Sequence, residues 1–146
     1  MLKKTNNTLE VRFMPENIGE MTADFMKVQG ILINLLSNSN KFTKGGTISL
    51  SIMRTHEQGD SMVTFQVTDS GIGMSDEQIT NIFEGFTLTE ASEDHQMSGL
   101  GLYITRHFSQ MMGGKIGVES QMGTGSTFRV KLPSTVREEQ IPASPI

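Results

Sequence analysis

The sequence predicts a two-layer α/β sandwich, in which one mixed, mostly antiparallel sheet is covered by helices on a single face. Three observations carry that expectation. Residues 24–42 repeat apolar side chains at helical spacing. Shorter runs rich in β-branched and aromatic residues are bounded by turn formers, as strands are. These segments alternate irregularly along the chain, an order that suits helices gathered on one side of a sheet rather than a regular parallel repeat.

Residues 8–13, TLEVRF, alternate apolar Leu9, Val11 and Phe13 with polar neighbours, the pattern of a half-buried strand. Residues 24–42 place Val28, Ile31, Leu32, Leu35, Leu36 and Phe42 so that a long helix has one apolar side. Lys44, Gly45 and Gly46 end it in a turn. TISLSIMR (47–54) and MVTFQVTD (62–69) then read as neighbouring strands separated by the polar loop HEQGDS (56–61). Ser75 with Gln78 makes a capping-box pattern for a short helix whose apolar side is Ile79, Ile82 and Phe83. The polar stretch 85–98 has no clear period and reads as a long surface loop. A second helix is expected from about Gly99 to Met111, stopped by Gly113 and Gly114. KIGVES (115–120) and STFRVKL (126–132) then form two strands joined at Gly123 and Gly125.

A length of 146 residues suits one domain, expected over 8–132 with flexible segments at 1–7 and 133–146. A formal net charge of -4 argues against a nucleic-acid partner, which would call for clustered lysine and arginine. No apolar run approaches the roughly 20 residues that cross a bilayer, so no membrane insertion of this domain is expected. The N-terminal lysines are followed by no apolar signal region, and the expected location is the cytoplasm. Without cysteine, disulfides and thiolate chemistry are excluded.

Four patches carry the chemistry. In ILINLLSNSNKFTK, Asn34, Asn38 and Lys41 share one helix face while the leucines and Ile31 cover the other. The Asn38 carboxamide oxygen suits a hard cation such as magnesium, and Lys41 offers a flexible point charge for phosphate. The alternative is asparagines that only bond neighbouring backbone; Asn40 is expected to face solvent. In VTDSGIGM, Asp69 ends a strand, and Gly71 and Gly73 permit close backbone approach. An ionised aspartate only accepts hydrogen bonds, so it favours the amine of adenine over the carbonyl of guanine; a plain Asp-Ser-Gly turn is the alternative. In SGLGLYITRHF, Gly99 and Gly101 fall at the expected helix start, where free N–H groups and the dipole favour phosphate, with helix packing as the alternative. MGTGSTFRV reads as a hairpin that brings Thr127 to a ligand only if the other patches converge there.

In this order and at this spacing the patches resemble the asparagine box and three glycine boxes of the histidine-kinase catalytic domain, within the Bergerat-fold ATPases. The piece IFEGF, with Phe83 and Phe86, resembles that family's phenylalanine box beside a mobile lid. The resemblance covers 24–132 and implies Mg-ATP as ligand. It implies that Asn38 coordinates magnesium, Asn34 supports the polyphosphate site, Lys41 contacts phosphate and Asp69 reads the adenine amine. Gly71, Gly73, Gly99, Leu100 and Gly101 would shape the pocket, with Phe42 and Met74 as apolar walls. Lys44 would be a second phosphate contact, Thr127 part of the adenine network, and 86–98 the lid.

Hydrolytic branches of the wider family carry a water-activating glutamate where this chain has Asn34. A carboxamide cannot act as that general base, which favours phosphotransfer to a nucleophile supplied from elsewhere. The implied partners are a histidine-containing dimerisation domain of the same kinase and a downstream response regulator, in two-component signal transduction. No segment here resembles the phosphoacceptor motif, and His56, His95 and His107 have no clustered ligand partners.

The chain also departs from the family pattern. Gln96 and Met97 stand where glycines usually precede the second glycine box, and the lid holds Glu90, Glu93 and Asp94 with no lysine or arginine. Weaker phosphate clamping follows, and with it a second reading: a nucleotide-sensing or protein-interaction module that keeps the fold without phosphotransfer. Gly30 is also unusual inside a helix, where glycine costs about 1 kcal/mol relative to alanine.

Overall fold

The computed structural model describes residues 6–81 and 96–135. Strand β1 (Thr8–Met14) is followed by helix α1 (Phe25–Lys41), strands β2 (Thr47–Glu57) and β3 (Asp60–Asp69), and short helix α2 (Asp76–Asn81). Helix α3 (Gln96–Met111) and strands β4 (Lys115–Gln121) and β5 (Gly125–Pro133) complete it. The sheet order is β1-β2-β3-β5-β4. Only β1 and β2 run parallel, because α1 crosses between them; the other pairs are antiparallel. The expected mixed, mostly antiparallel sheet is therefore present.

Local chemistry sets the helix ends. Asp24 stays extended and its Oδ1 accepts the Lys27 N–H at 3.1 Å, which satisfies a donor that the first turn of α1 leaves free. At the other end, the Phe42 N–H returns to the Asn38 carbonyl. In α2 the capping box is reciprocal: Ser75 Oγ accepts from Gln78 N at 3.1 Å, and Gln78 Oε1 accepts from Ser75 N at 2.9 Å.

The register turns the sheet's covered face into cross-strand rows. Val11, Leu50, Val67, Phe128 and Val118 form one row; Phe13, Ile52, Phe65, Val130 and Ile116 form the next. Ile31 and Leu35 from α1 and Leu102 from α3 pack against this face, and all three are fully buried. The opposite face carries hydroxyls and charges, including Arg129 paired with Glu119 and Lys131 paired with Glu57.

Four details differ from the sequence expectation. The polar segment 56–61 is not a loop: the ladder continues through Glu57 and Asp60, and the turn is only Gln58-Gly59, at φ 53° and 86°. Two positive φ values match the twist of paired strands, so a two-residue connection suffices. Strand β1 is not half-buried, because α1 lies over β2 and β3; Leu9, Val11 and Phe13 stay 39%, 48% and 45% exposed. Helix α3 already includes Gln96, ahead of the expected Gly99. The fold also reaches past 8–132: Asn7 Nδ2 donates to the Thr43 carbonyl at 2.8 Å, and Thr22 bridges to Thr135.

Candidate functional site

One end of the sheet departs from the apolar pattern. The outermost row on the covered face reads Leu9, Ile48, Asp69, Ser126, Ser120. Asp69 is 5% exposed, so its carboxylate needs partners. Its Oδ1 accepts the N–H of Gly71 at 2.9 Å and of Ser126 at 3.3 Å. One oxygen is thereby held in place by backbone donors from two different elements.

The loop after Asp69 is wedged between the end of α1 and the β4–β5 turn. A Cβ on Gly71 would lie 2.2 Å from the Phe42 carbonyl oxygen, and one on Gly73 would lie 2.1 Å from that of Gln121. Gly73 also has φ 72°. Both positions therefore require glycine, for close approach in the first case and for approach and conformation in the second. The Ile72 N–H donates to the Phe42 carbonyl at 3.2 Å, and the Gly123 N–H to the Ile72 carbonyl at 2.8 Å. These bonds couple the asparagine-bearing helix, the Asp69 loop and the hairpin into one unit. Met74 sits at the loop's end, half-buried against the core, and its N–H donates to Ser120 Oγ at 2.8 Å.

From α1, Asn38 is 5% exposed and its buried Oδ1 has no hydrogen-bond partner among the described residues. A buried, unpaired carbonyl oxygen is destabilising by roughly 1–3 kcal/mol unless a ligand completes it. A hard cation does so, and the carboxamide is a suitable oxygen donor for magnesium. Among the described residues no group of three or more His, Cys, Asp or Glu side chains gathers to hold a metal.

Asn34 has a role the spacing did not reveal. Its Nδ2 donates to the Gly101 carbonyl at 3.2 Å and to Thr105 Oγ1 at 3.3 Å, linking α1 to α3. A Cβ on Gly101 would meet the Asn34 carboxamide carbon at 3.5 Å, so Gly101 lies directly against it. Lys41 is half-buried in the last turn of α1 and makes no ion pair among the described residues; Lys44 is exposed in the following turn. Phe42 is half-buried at the helix cap.

Three expected placements need correction. Thr127 is on the wrong face to join Asp69: strand side chains alternate, and its hydroxyl pairs with Thr68 at 3.1 Å on the open side of the sheet. There, with Thr47, Ser49 and Thr68, it lines a shallow groove that runs over the sheet's end to Asp69, Ser120 and Ser126. Ser126, one residue earlier, is the one that faces Asp69. Asn40 is not solvated; it is 9% exposed, and its Oδ1 accepts from Asn7 at 2.9 Å. Gly99 and Gly101 do not open a helix. Both lie inside α3, which already includes Gln96. Leu100 belongs to the same helix. Phe83, Phe86, Glu90, Glu93 and Asp94 fall outside the described residues.

The spacing also passed over Ser126, Ser120 and Gly125. A Cβ on Gly125, at φ 135°, would lie 2.0 Å from the Asp69 carbonyl oxygen. Their signal was present in SQMGTGST, but only the ladder register shows that it abuts Asp69.

Residues 23–136 match the family described as histidine kinase-, DNA gyrase B-, and HSP90-like ATPase. The chain belongs to that family. The circadian input-output histidine kinase CikA of Synechococcus elongatus is 39% identical over 126 residues, 84% of this chain and 16% of that protein. Sensor histidine kinase GacS of Pseudomonas protegens is 36% identical over 132 residues, 86% of this chain and 14% of that protein. The chain thus spans a small part of the relatives it matches. Among solved structures, the catalytic domain of histidine kinase ThkA superposes with a TM-score of 0.74 at 26% identity, covering 92% of this chain and 82% of that one. The fold is that of a histidine-kinase catalytic domain. No helix among the described residues is long and apolar enough to cross a membrane.

Proposed function

We propose that this chain binds Mg-ATP and presents its γ-phosphate to a histidine on a separate dimerisation domain of the same kinase, with a response regulator downstream in the cytoplasm. The carrying observation is convergence at one end of the sheet. Asp69, with Oδ1 held by two N–H donors, and Asn38, with a buried unpaired Oδ1, are joined through the bond between Ile72 and Phe42.

Each residue's part follows from its chemistry. Asp69 accepts a hydrogen bond from the adenine amine and is mismatched to a carbonyl at that position. Asn38 supplies an oxygen ligand to magnesium, and Lys41 and Lys44 supply positive charge toward phosphate from the end of α1. Bound magnesium would neutralise charge on the phosphate oxygens. Asn34 holds α3 against α1 at Gly101 and, being a carboxamide, leaves water unactivated. Ser126 replaces Thr127 as the hydroxyl beside Asp69. The chain's contribution is thus positioning and charge neutralisation, while the nucleophile arrives from outside.

Calorimetric titration of ATP with and without magnesium, into the native chain and an Asn38→Ala variant, tests this. The expected result is saturable binding that magnesium strengthens only in the native protein. Labelled ATP mixed with a dimerisation domain should then place phosphate on histidine. Binding without transfer would favour the nucleotide-sensing module, and absence of binding to folded protein would reject the site.

A further inference from the structure

The two serines in the outermost row can satisfy their donors and acceptors in only one way. Ser120 Oγ lies 2.8 Å from Met74 N, 3.0 Å from the Gly125 carbonyl oxygen and 2.7 Å from Ser126 Oγ. A backbone N–H only donates and a carbonyl only accepts, whereas a hydroxyl has one proton and two lone pairs. The Met74 N–H therefore occupies one lone pair of Ser120, and the Ser120 proton goes to Gly125. The remaining contact forms only if Ser126 donates into the second lone pair. Its proton committed, Ser126 Oγ retains only lone pairs for any further partner.

Ser126 stands opposite Asp69 in the ladder, on the same face, where paired side chains are neighbours. We propose that Ser120 is a positioning residue for base selection, which makes the Ser126 hydroxyl an obligate acceptor beside the Asp69 carboxylate. The inference rests on the reading of Asp69 as the base contact. Two adjoining acceptors can take both N–H bonds of an exocyclic amine, whereas a carbonyl in its place faces acceptors on both sides and stays unpaired. Asp69 supplies the first acceptor. Ser120 supplies the second indirectly, by denying Ser126 the rotation that would let it donate to a carbonyl.

The test is calorimetric titration of ATP and of inosine triphosphate, which replaces the amine with a carbonyl, turns the neighbouring ring N1 from acceptor to N–H donor, and keeps the sugar and phosphates. The proteins are the native chain, Ser120→Ala, Ser120→Thr, Ser126→Ala and Asp69→Asn. The native chain should prefer ATP. Ser120→Ala should lose about tenfold of that preference, because the freed Ser126 proton can meet the inosine carbonyl. Ser120→Thr keeps the hydroxyl and should keep the native ratio. Ser126→Ala should lower the preference as well, and it stands in if Ser120→Ala does not fold. Equal weakening of both nucleotides in Ser120→Ala, with the ratio intact, would overturn the proposal, as would an unchanged ratio in Ser126→Ala. A native chain without any preference would instead refute the Asp69 reading and this inference with it. A preference abolished by Asp69→Asn and untouched by both serine variants would refute the inference alone.

Discussion

Two neighbouring rows of the same sheet face do different work. Leu50, Val67, Phe128 and Val118 meet through apolar contact, and Val67 and Phe128 are fully buried. One step toward the sheet's end, Ile48, Asp69, Ser126 and Ser120 keep the same register and the same face. There, directed hydrogen bonds replace close packing from Asp69 onward. The apolar row tolerates any side chains of suitable volume, whereas the polar row depends on where single protons point. The inner row is the platform on which the outer row's geometry stands.

The largest effect should come from breaking the platform. Phe128→Ala should destabilise the domain by about 3–5 kcal/mol in urea denaturation, by leaving a cavity where a fully buried ring sits. Breaking the polar row should act on binding instead. Asp69→Asn should weaken ATP binding about 10–100-fold, while the folding free energy changes by less than about 1 kcal/mol, because the amide oxygen can still accept from Gly71 and Ser126.

A stability change remote from both rows sharpens the contrast. Asp24→Ala removes the cap of α1 and should cost about 1 kcal/mol in denaturant melts at neutral pH, with no selective effect on nucleotide. The side-chain hydrogen bond from Lys27 holds the Asp24 pKa below its ordinary value, with the Lys27 N–H acting in the same direction. The native pKa is thus lower than the unfolded one. The contribution is present in full above the unfolded value of about 3.9 and fades as pH falls through the lowered native value, so wild type and variant should converge in acid. Asp24 is 35% exposed, so solvent screening keeps the charged part of the effect small. The smallest effect is expected at Thr127. Thr127→Val should leave ATP affinity within about twofold of native in the same titration, since its hydroxyl lies on the face away from Asp69.

Much of the fold was legible because its signals are local. The long helix showed in the recurrence of Val28, Ile31, Leu32 and Leu35, and the capping pair Ser75 and Gln78 was readable from two residues alone. The true β2–β3 turn was hidden by polar residues that look like a loop but lie on paired strands. The start of α3 was misplaced because Gly99 and Gly101 mimic a helix entry, while α3 runs through both. In the site, Asp69, Asn38, Gly71 and Gly73 were visible as residue types at informative spacing. Thr127 was chosen over Ser126 because two adjacent hydroxyls look alike until the register assigns each a face.

Sequence by itself determined the α/β alternation, the family to which the chain belongs and the residue types available to the site, since periodicity, capping and motif spacing are properties of neighbouring residues. Tertiary structure alone decided which hydroxyl faces Asp69, that Asn40 is buried against Asn7 and that Asn34 ties two helices together. Those outcomes depend on contacts between residues 33 to 67 positions apart, and the geometry of a hydrogen bond across such a separation is set by packing rather than by local order.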